Sequence, residues 1–181
     1  REQYYLHNFL SNQPDLNLHN LEVQDALLDV ARFWLDKGVD GFRFDTINFF
    51  MHDKLLRDNP PLPAQERNHS IATQVNPYNW QNHLYSKSQP ENIAFLERIR
   101  SLTDRYEGFA CLGEIGDAQR GMQLLGEYTF GDKRMHMCYS FELLGKSPAT
   151  AQSVKAVFDK IDREAPNGWP CWAFSNHDVE R

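Results

Sequence analysis

Short apolar runs that end on a carboxylate recur along this chain, and apolar residues at helical spacing precede each of them. The sharpest run is Gly41-Phe42-Arg43-Phe44-Asp45, which follows a helix-like segment directly, with Gly38 as the break. Phe42 and Phe44 alternate with Arg43, so the run reads as a short buried strand that delivers Asp45 to its C-terminal mouth. Arg43 and Asp45, two residues apart on a strand, share one face. A guanidinium in that place keeps a carboxylate ionised and oriented, as a nucleophile requires, or else forms a structural ion pair at a strand end.

The same alternation organises the rest. Leu21 to Lys37 reads as a helix with Val23, Leu27, Val30 and Trp34 on one stripe, Asn20 as N-cap and Gly38 as stop. A second helix is expected from about Pro90 to Arg105, with Phe95, Leu96, Ile99 and Leu102 inward, followed by a strand over Phe109–Glu114. After a helical patch near Gln119–Leu125, His136–Phe141 reads as a third strand. Ala151–Arg163 reads as a third helix facing inward through Val154, Val157, Phe158 and Ile161. A fourth strand, Pro170–Ser175, runs into Asn176-His177-Asp178. Helices alternating with strands that look buried on both faces predict an α/β fold with a parallel sheet and crossover helices.

Two stretches fall outside this pattern. Gln13–Asn17 (QPDLN) reads as a turn set by Pro14, with Asp15 and Asn17 able to accept from nearby amides. Residues 51–88 contain Asn59-Pro60-Pro61-Leu62-Pro63, which blocks helix and strand, while Tyr78, Trp80 and Tyr85 argue against disorder. This segment is expected to be a loop over a site, holding short helical turns.

Composition narrows the partners. A net charge of −6 without a basic run points away from nucleic acid and from anionic membrane surfaces. No run approaches the roughly 20 apolar residues of a membrane span. Cys111, Cys138 and Cys171 each sit in an apolar run and are expected to be free thiols, which suggests a reducing, cytoplasmic setting. The chain opens on Arg1 without a methionine and is expected to be a piece of something longer.

Parallel α/β sheets carry their chemistry at the C-terminal ends of the strands, and Asp45, Glu114 and Asp178 each sit at such an end, with Arg43 and His177 beside them. Carboxylates clustered in this way suit a metal site for hydrolytic work, or glycoside hydrolysis by a nucleophile and a proton donor. Arg43 and His177 favour the second chemistry, because they add groups suited to sugar hydroxyls. Phe44, Phe49, Phe50, Phe141, Trp172 and Phe174 suit either walls for sugar faces or, for most of them, the core. Asp45 beside Arg43 is expected to stay charged, and Glu114 on an apolar strand to be pushed toward its protonated form.

These stretches resemble those of glycoside hydrolase family 13, the α-amylase superfamily. GFRFDTINF resembles its nucleophile motif, GEI at Gly113–Ile115 its general-acid motif, and FSNHD at Phe174–Asp178 its transition-state-stabiliser motif. QPDLN resembles a further motif of the oligo-1,6-glucosidase and α-glucosidase branch. The resemblance implies part of a (β/α)₈ TIM barrel, about strands four to seven, in residues 21–181, with 1–20 closing the inserted domain B. It implies that Asp45 is the nucleophile, Glu114 the acid and base, and Asp178 the transition-state stabiliser. Arg43 would orient Asp45, while His177, Arg181 and Phe141 would meet the sugar. Thr46, following the nucleophile, accompanies α-1,4 rather than α-1,6 cleavage in similar enzymes.

The implied reaction retains configuration, which needs catalytic carboxyls about 5–5.5 Å apart. The implied partner is an oligosaccharide or disaccharide. No cofactor is implied in this segment, a Ca²⁺ or Mg²⁺ site being expected in the part preceding it. Transglucosylases such as sucrose isomerases, and non-catalytic relatives, share much of the pattern. A section of a barrel is expected to be weakly active or inactive alone.

Overall fold

The structure, a computed structural model, describes residues 2–67, 75–144 and 149–178. Helix α1 (Leu21–Asp36) opens where the Asn20 side chain accepts from the Glu22 amide at 2.9 Å. It closes at Gly38, whose φ of +87° only glycine adopts without strain. Strand β1 (Gly41–Phe44) follows directly. Helix α2 (Asn92–Thr103) buries Phe95, Leu96, Ile99 and Leu102, the face its spacing predicts, and leads to β2 (Ala110–Ile115). Then come α3 (Gly121–Tyr128), β3 (Met137–Ser140) and α4 (Ala151–Glu164). Thr150 and Ser153 form a reciprocal capping box at the start of α4.

The strands form one parallel sheet in the order β1-β2-β3. Arg43 pairs with Leu112, and Glu114 pairs with Tyr139. Parallel partners share a face, so Arg43, Leu112, Glu114 and Tyr139 point one way. Phe42, Phe44, Cys111, Gly113, Ile115 and Cys138 point the other way, into the core with Ile47, Leu96, Met122, Leu124 and Leu125. Gly113 lets Ile47 and Cys138 pack closely over the strand. A Cβ there would lie 2.4 Å from the Ile47 Cδ1 and 2.9 Å from the Cys138 Sγ. Cys111 and Cys138 are buried and Cys171 half-buried, all as free thiols. Among the described residues no helix is long and apolar enough to cross a membrane.

Several expectations are corrected. Pro170–Ser175 is not a fourth strand: it makes a single parallel bridge, Cys138 to Pro170, and the Cys171 amide donates to the Cys138 carbonyl at 2.8 Å. Pro170 has no N–H to extend a ladder, and Trp172 and Phe174 beyond it are exposed. Strand β1 is not buried on both faces, since its Gly41 and Arg43 face is open. On α1, Val30 and Trp34 are 57% and 49% exposed, whereas Gln24 and Leu35 are buried. The helix packs against α2 through Gln24, whose Oε1 accepts from Arg98 at 2.6 Å, and this turns the expected stripe partly outward. Phe158 on α4 is exposed rather than inward, edge-on to Trp172.

The two irregular stretches fold against each other. Asn17 accepts from the His19 amide as a turn residue, and Asp15 accepts from the Asn8 side chain, which also donates to the Ser86 carbonyl. Within residues 51–88, 3₁₀ turns form at Ala64–Glu66 and Pro77–Trp80, and Pro61 bridges Gln81. The expected short helical turns are therefore present in a loop held by its own backbone hydrogen bonds.

Candidate active site

Strand β1 ends at Phe44, so Asp45 is the first residue beyond it, on the Arg43 face. The chain then turns sharply at Thr46, which has φ +35° and ψ +55°, a left-handed conformation rare for a β-branched residue. That turn aims the Thr46 amide at the next strand, where it donates to Glu114 Oε2 at 3.1 Å. Arg43 Nη1 pairs with Asp45, and its Nη2 lies 2.7 Å from Glu114 Oε1 and donates to the Tyr139 hydroxyl at 2.9 Å. The Tyr139 hydroxyl in turn donates to Glu114 Oε1 at 2.6 Å. One guanidinium thus spans two carboxylates of opposite accessibility, as the Asp45 side chain is 72% exposed and that of Glu114 3%.

The surroundings of Glu114 differ from the apolar setting expected for it. Three donors, from β1, from the turn after β1 and from β3, converge on its two oxygens. Burial would lower the proton affinity of Arg43, but the bonds to Tyr139 and Asp45 and the charge of Glu114 outweigh it and raise it. Burial and the bond to Glu114 push the Tyr139 phenol upward, so it remains a donor at neutral pH.

A second set of contacts holds the turns beneath this constellation. Fully buried Asn48 accepts from the Gly116 amide at 2.9 Å, which locks the turn after β1 to the exit of β2. Lys87, at the end of the 51–88 loop, donates to the Gly116 carbonyl at 3.2 Å and pairs with Asp117 at 3.2 Å, both side chains being buried. Burial lowers the proton affinity of Lys87. Burial would raise that of Asp117, but Lys87 and the Arg120 and Gln119 amides hold its carboxyl below the usual range. A cavity of about 60 Å³ lies between residues 78–88 and 117–120, and the two central carboxylates do not line it. They lie instead on the Arg43 face of the sheet, Asp45 exposed and Glu114 buried.

Of the residues singled out in the sequence, Arg43, Asp45, Thr46 and Glu114 come together. Phe141 lies in the 3₁₀ turn Phe141–Leu143 after β3, where it and Phe49 flank Gly116. Among the described residues, His177 and Asp178 have no hydrogen bond or ion pair to Arg43, Asp45 or Glu114. They are exposed, 3.6 Å apart, and Asn176 accepts from the Asp178 amide. Arg181 lies outside the described residues. Sequence reasoning missed Tyr139, Asn48, Lys87 and Asp117. The only available signal for Tyr139 was a hydroxyl inside the apolar run Met137–Phe141. Among the described residues no group of three or more His, Cys, Asp or Glu is placed to hold a metal ion.

A parallel α/β sheet with its polar residues at the C-terminal strand ends fits a section of a (β/α)₈ barrel, a fold that carries its chemistry on that face. The chain belongs to the α-amylase family: the family model described as "Alpha amylase, catalytic domain" matches residues 1–181. Its whole length is 59% identical to 33% of a probable alpha-glucosidase of Rhizobium meliloti (strain 1021) and 31% identical to 33% of Maltase A2 of Drosophila melanogaster. Among solved structures, 99% of the chain superposes on 33% of an alpha-glucosyl transfer enzyme, XgtA, with 52% identity and a TM-score of 0.90. It also resembles the trehalulose synthase MutB of Pseudomonas mesoacidophila MX-45, with 26% identity and a TM-score of 0.70 over 97% of this chain and 30% of that one. The chain therefore spans about a third of the length of these relatives, and its fold is a section of their barrel.

Proposed function

We propose that this chain is the central section of a retaining α-glucosidase that removes terminal α-linked glucose from a disaccharide or short oligosaccharide. The observation that carries the reading is the Arg43 bridge, which seats an open carboxylate beside a buried, hydrogen-bonded one. In this reading Asp45 attacks the anomeric carbon and forms a glucosyl ester as the bond to the leaving oxygen breaks. Glu114 gives that oxygen a proton, then takes one from the water that hydrolyses the ester. Arg43 steers Asp45 and neutralises charge between the two groups. Phe141 contributes an apolar wall, and Thr46 shapes the site toward α-1,4 linkages. Asp178 is assigned the role of holding hydroxyls as oxocarbenium-like charge develops, and His177 and Arg181 further contacts to the sugar.

A second reading is transglucosylation, in which a sugar hydroxyl replaces water in the second step. The 52% identity to a protein described as an alpha-glucosyl transfer enzyme favours it. Both readings share the glucosyl ester, so one experiment tests their common core. The full-length protein is incubated with a slow-turnover α-glucosyl fluoride and its intact mass measured, beside Asp45→Ala. A glucosyl-sized gain, lost in the variant, is expected; a blank in the native protein would overturn the nucleophile assignment. Product analysis with maltose then separates free glucose from transfer products.

A further inference from the structure

We propose that Tyr139 is a positioning residue for proton transfer by Glu114, holding that carboxyl at the angle from which the leaving oxygen is protonated. The proposal rests on the reading of Glu114 as acid and base. Its grounds are geometric. Tyr139 is the β3 partner of Glu114 in the parallel ladder, so the two side chains stand side by side on one face of the sheet, and both are buried there. Its hydroxyl donates to Glu114 Oε1 at 2.6 Å while accepting from Arg43 Nη2 at 2.9 Å, so the phenol is pinned from both sides. The Arg43 guanidinium also sits 5.9 Å from the centre of the Tyr139 ring. Oε1 is thereby gripped by groups from both neighbouring strands, while the Thr46 amide holds Oε2. A carboxyl held at both oxygens cannot rotate about its terminal bond, and misalignment of an acid by a fraction of its reach is costly to proton transfer. Phenylalanine would keep the ring while removing the hydroxyl that donates to Glu114.

The test uses leaving groups that differ in their need for an acid. Maltose must be protonated at the departing oxygen, whereas α-glucosyl fluoride departs as fluoride without such help. In the full-length enzyme, kcat/KM is measured on both substrates, because it reports only the steps up to formation of the glucosyl ester. Glu114→Gln is the control for the underlying reading: it should lower kcat/KM for maltose far more than for the fluoride. Tyr139→Phe should lower kcat/KM for maltose by about 10-fold or more and leave the fluoride within about twofold. The ratio of the two substrates is taken on one preparation, so partial misfolding cancels.

If Glu114→Gln discriminates between the substrates and Tyr139→Phe lowers both equally, or neither, the positioning role is overturned while the acid assignment stands. If Glu114→Gln itself fails to discriminate, the acid assignment falls and this inference with it.

Discussion

At the scale of single residues, the site depends on the shape of one side chain. Arg43 reaches Asp45 with one nitrogen and Glu114 and Tyr139 with another, which a planar fork can do and a point charge cannot. Arg43→Lys is therefore expected to lower kcat/KM on maltose by ~10²-fold with little loss of stability, checked by steady-state kinetics beside thermal unfolding. The pairing of Arg43 with Asp45 was legible in the sequence, because residues two apart on a strand share a face. Tyr139 was not, since period-two alternation says which face a residue takes but not which neighbour it meets across the sheet. That information lies in the alignment of β2 with β3, which long-range packing sets. The same limit applies to Lys87 and Asp117, a buried pair joined only by the fold.

At the scale of elements, the helices are the most readable parts and their inward faces the least. The spacing in α2 predicts its buried residues correctly because the helix is covered by core on that side. In α1 the polar Gln24 is buried by its bonds to Arg98 and the Leu18 carbonyl, which no hydropathy pattern signals. The packing of β2 against the turn after β1 and against β3 predicts that Gly113→Ala is destabilising by about 1–3 kcal/mol, since the added methyl must displace the Ile47 and Cys138 side chains. Denaturant unfolding of the full-length protein measures it.

The 78–88 part of the loop offers a pH test. His83 stacks on Tyr78 at 3.7 Å and donates from Nε2 to the Tyr78 carbonyl at 2.7 Å. Burial lowers its folded-state pKa from 6.5, outweighing that bond, with Lys87 lowering it further and Asp117 opposing. A histidine depressed in this way binds protons more readily when unfolded. Its contribution to stability is therefore full above about pH 6.5 and declines as the pH falls toward the folded-state value. His83→Gln should flatten the pH dependence of the unfolding midpoint across that window. Identical slopes for the two proteins would remove His83 as its source.

At the scale of the whole molecule, both flanks of the sheet carry uncovered apolar side chains. Val30, Phe33 and Trp34 are exposed on α1, as are Trp169, Trp172 and Phe174 near the bridge at Pro170. Surfaces of this kind favour association in water. Produced alone, the chain is expected to self-associate and to turn over maltose weakly or not at all, as light scattering and a glucose assay would show; robust turnover by a monomer of this chain would overturn that expectation. The order of the sheet has a further consequence for descent. Asp45 just past β1 and Glu114 on β2 are carried by adjacent strands, whose spacing of about 4.8 Å is a property of the peptide backbone. An insertion in residues 51–88 leaves that spacing alone, whereas one extra residue within Gly41–Phe44 or Ala110–Ile115 turns every following side chain to the opposite face. If the proposed chemistry holds, novelty in sugar preference can accumulate in the connections, while the handedness of the product is inherited with the backbone.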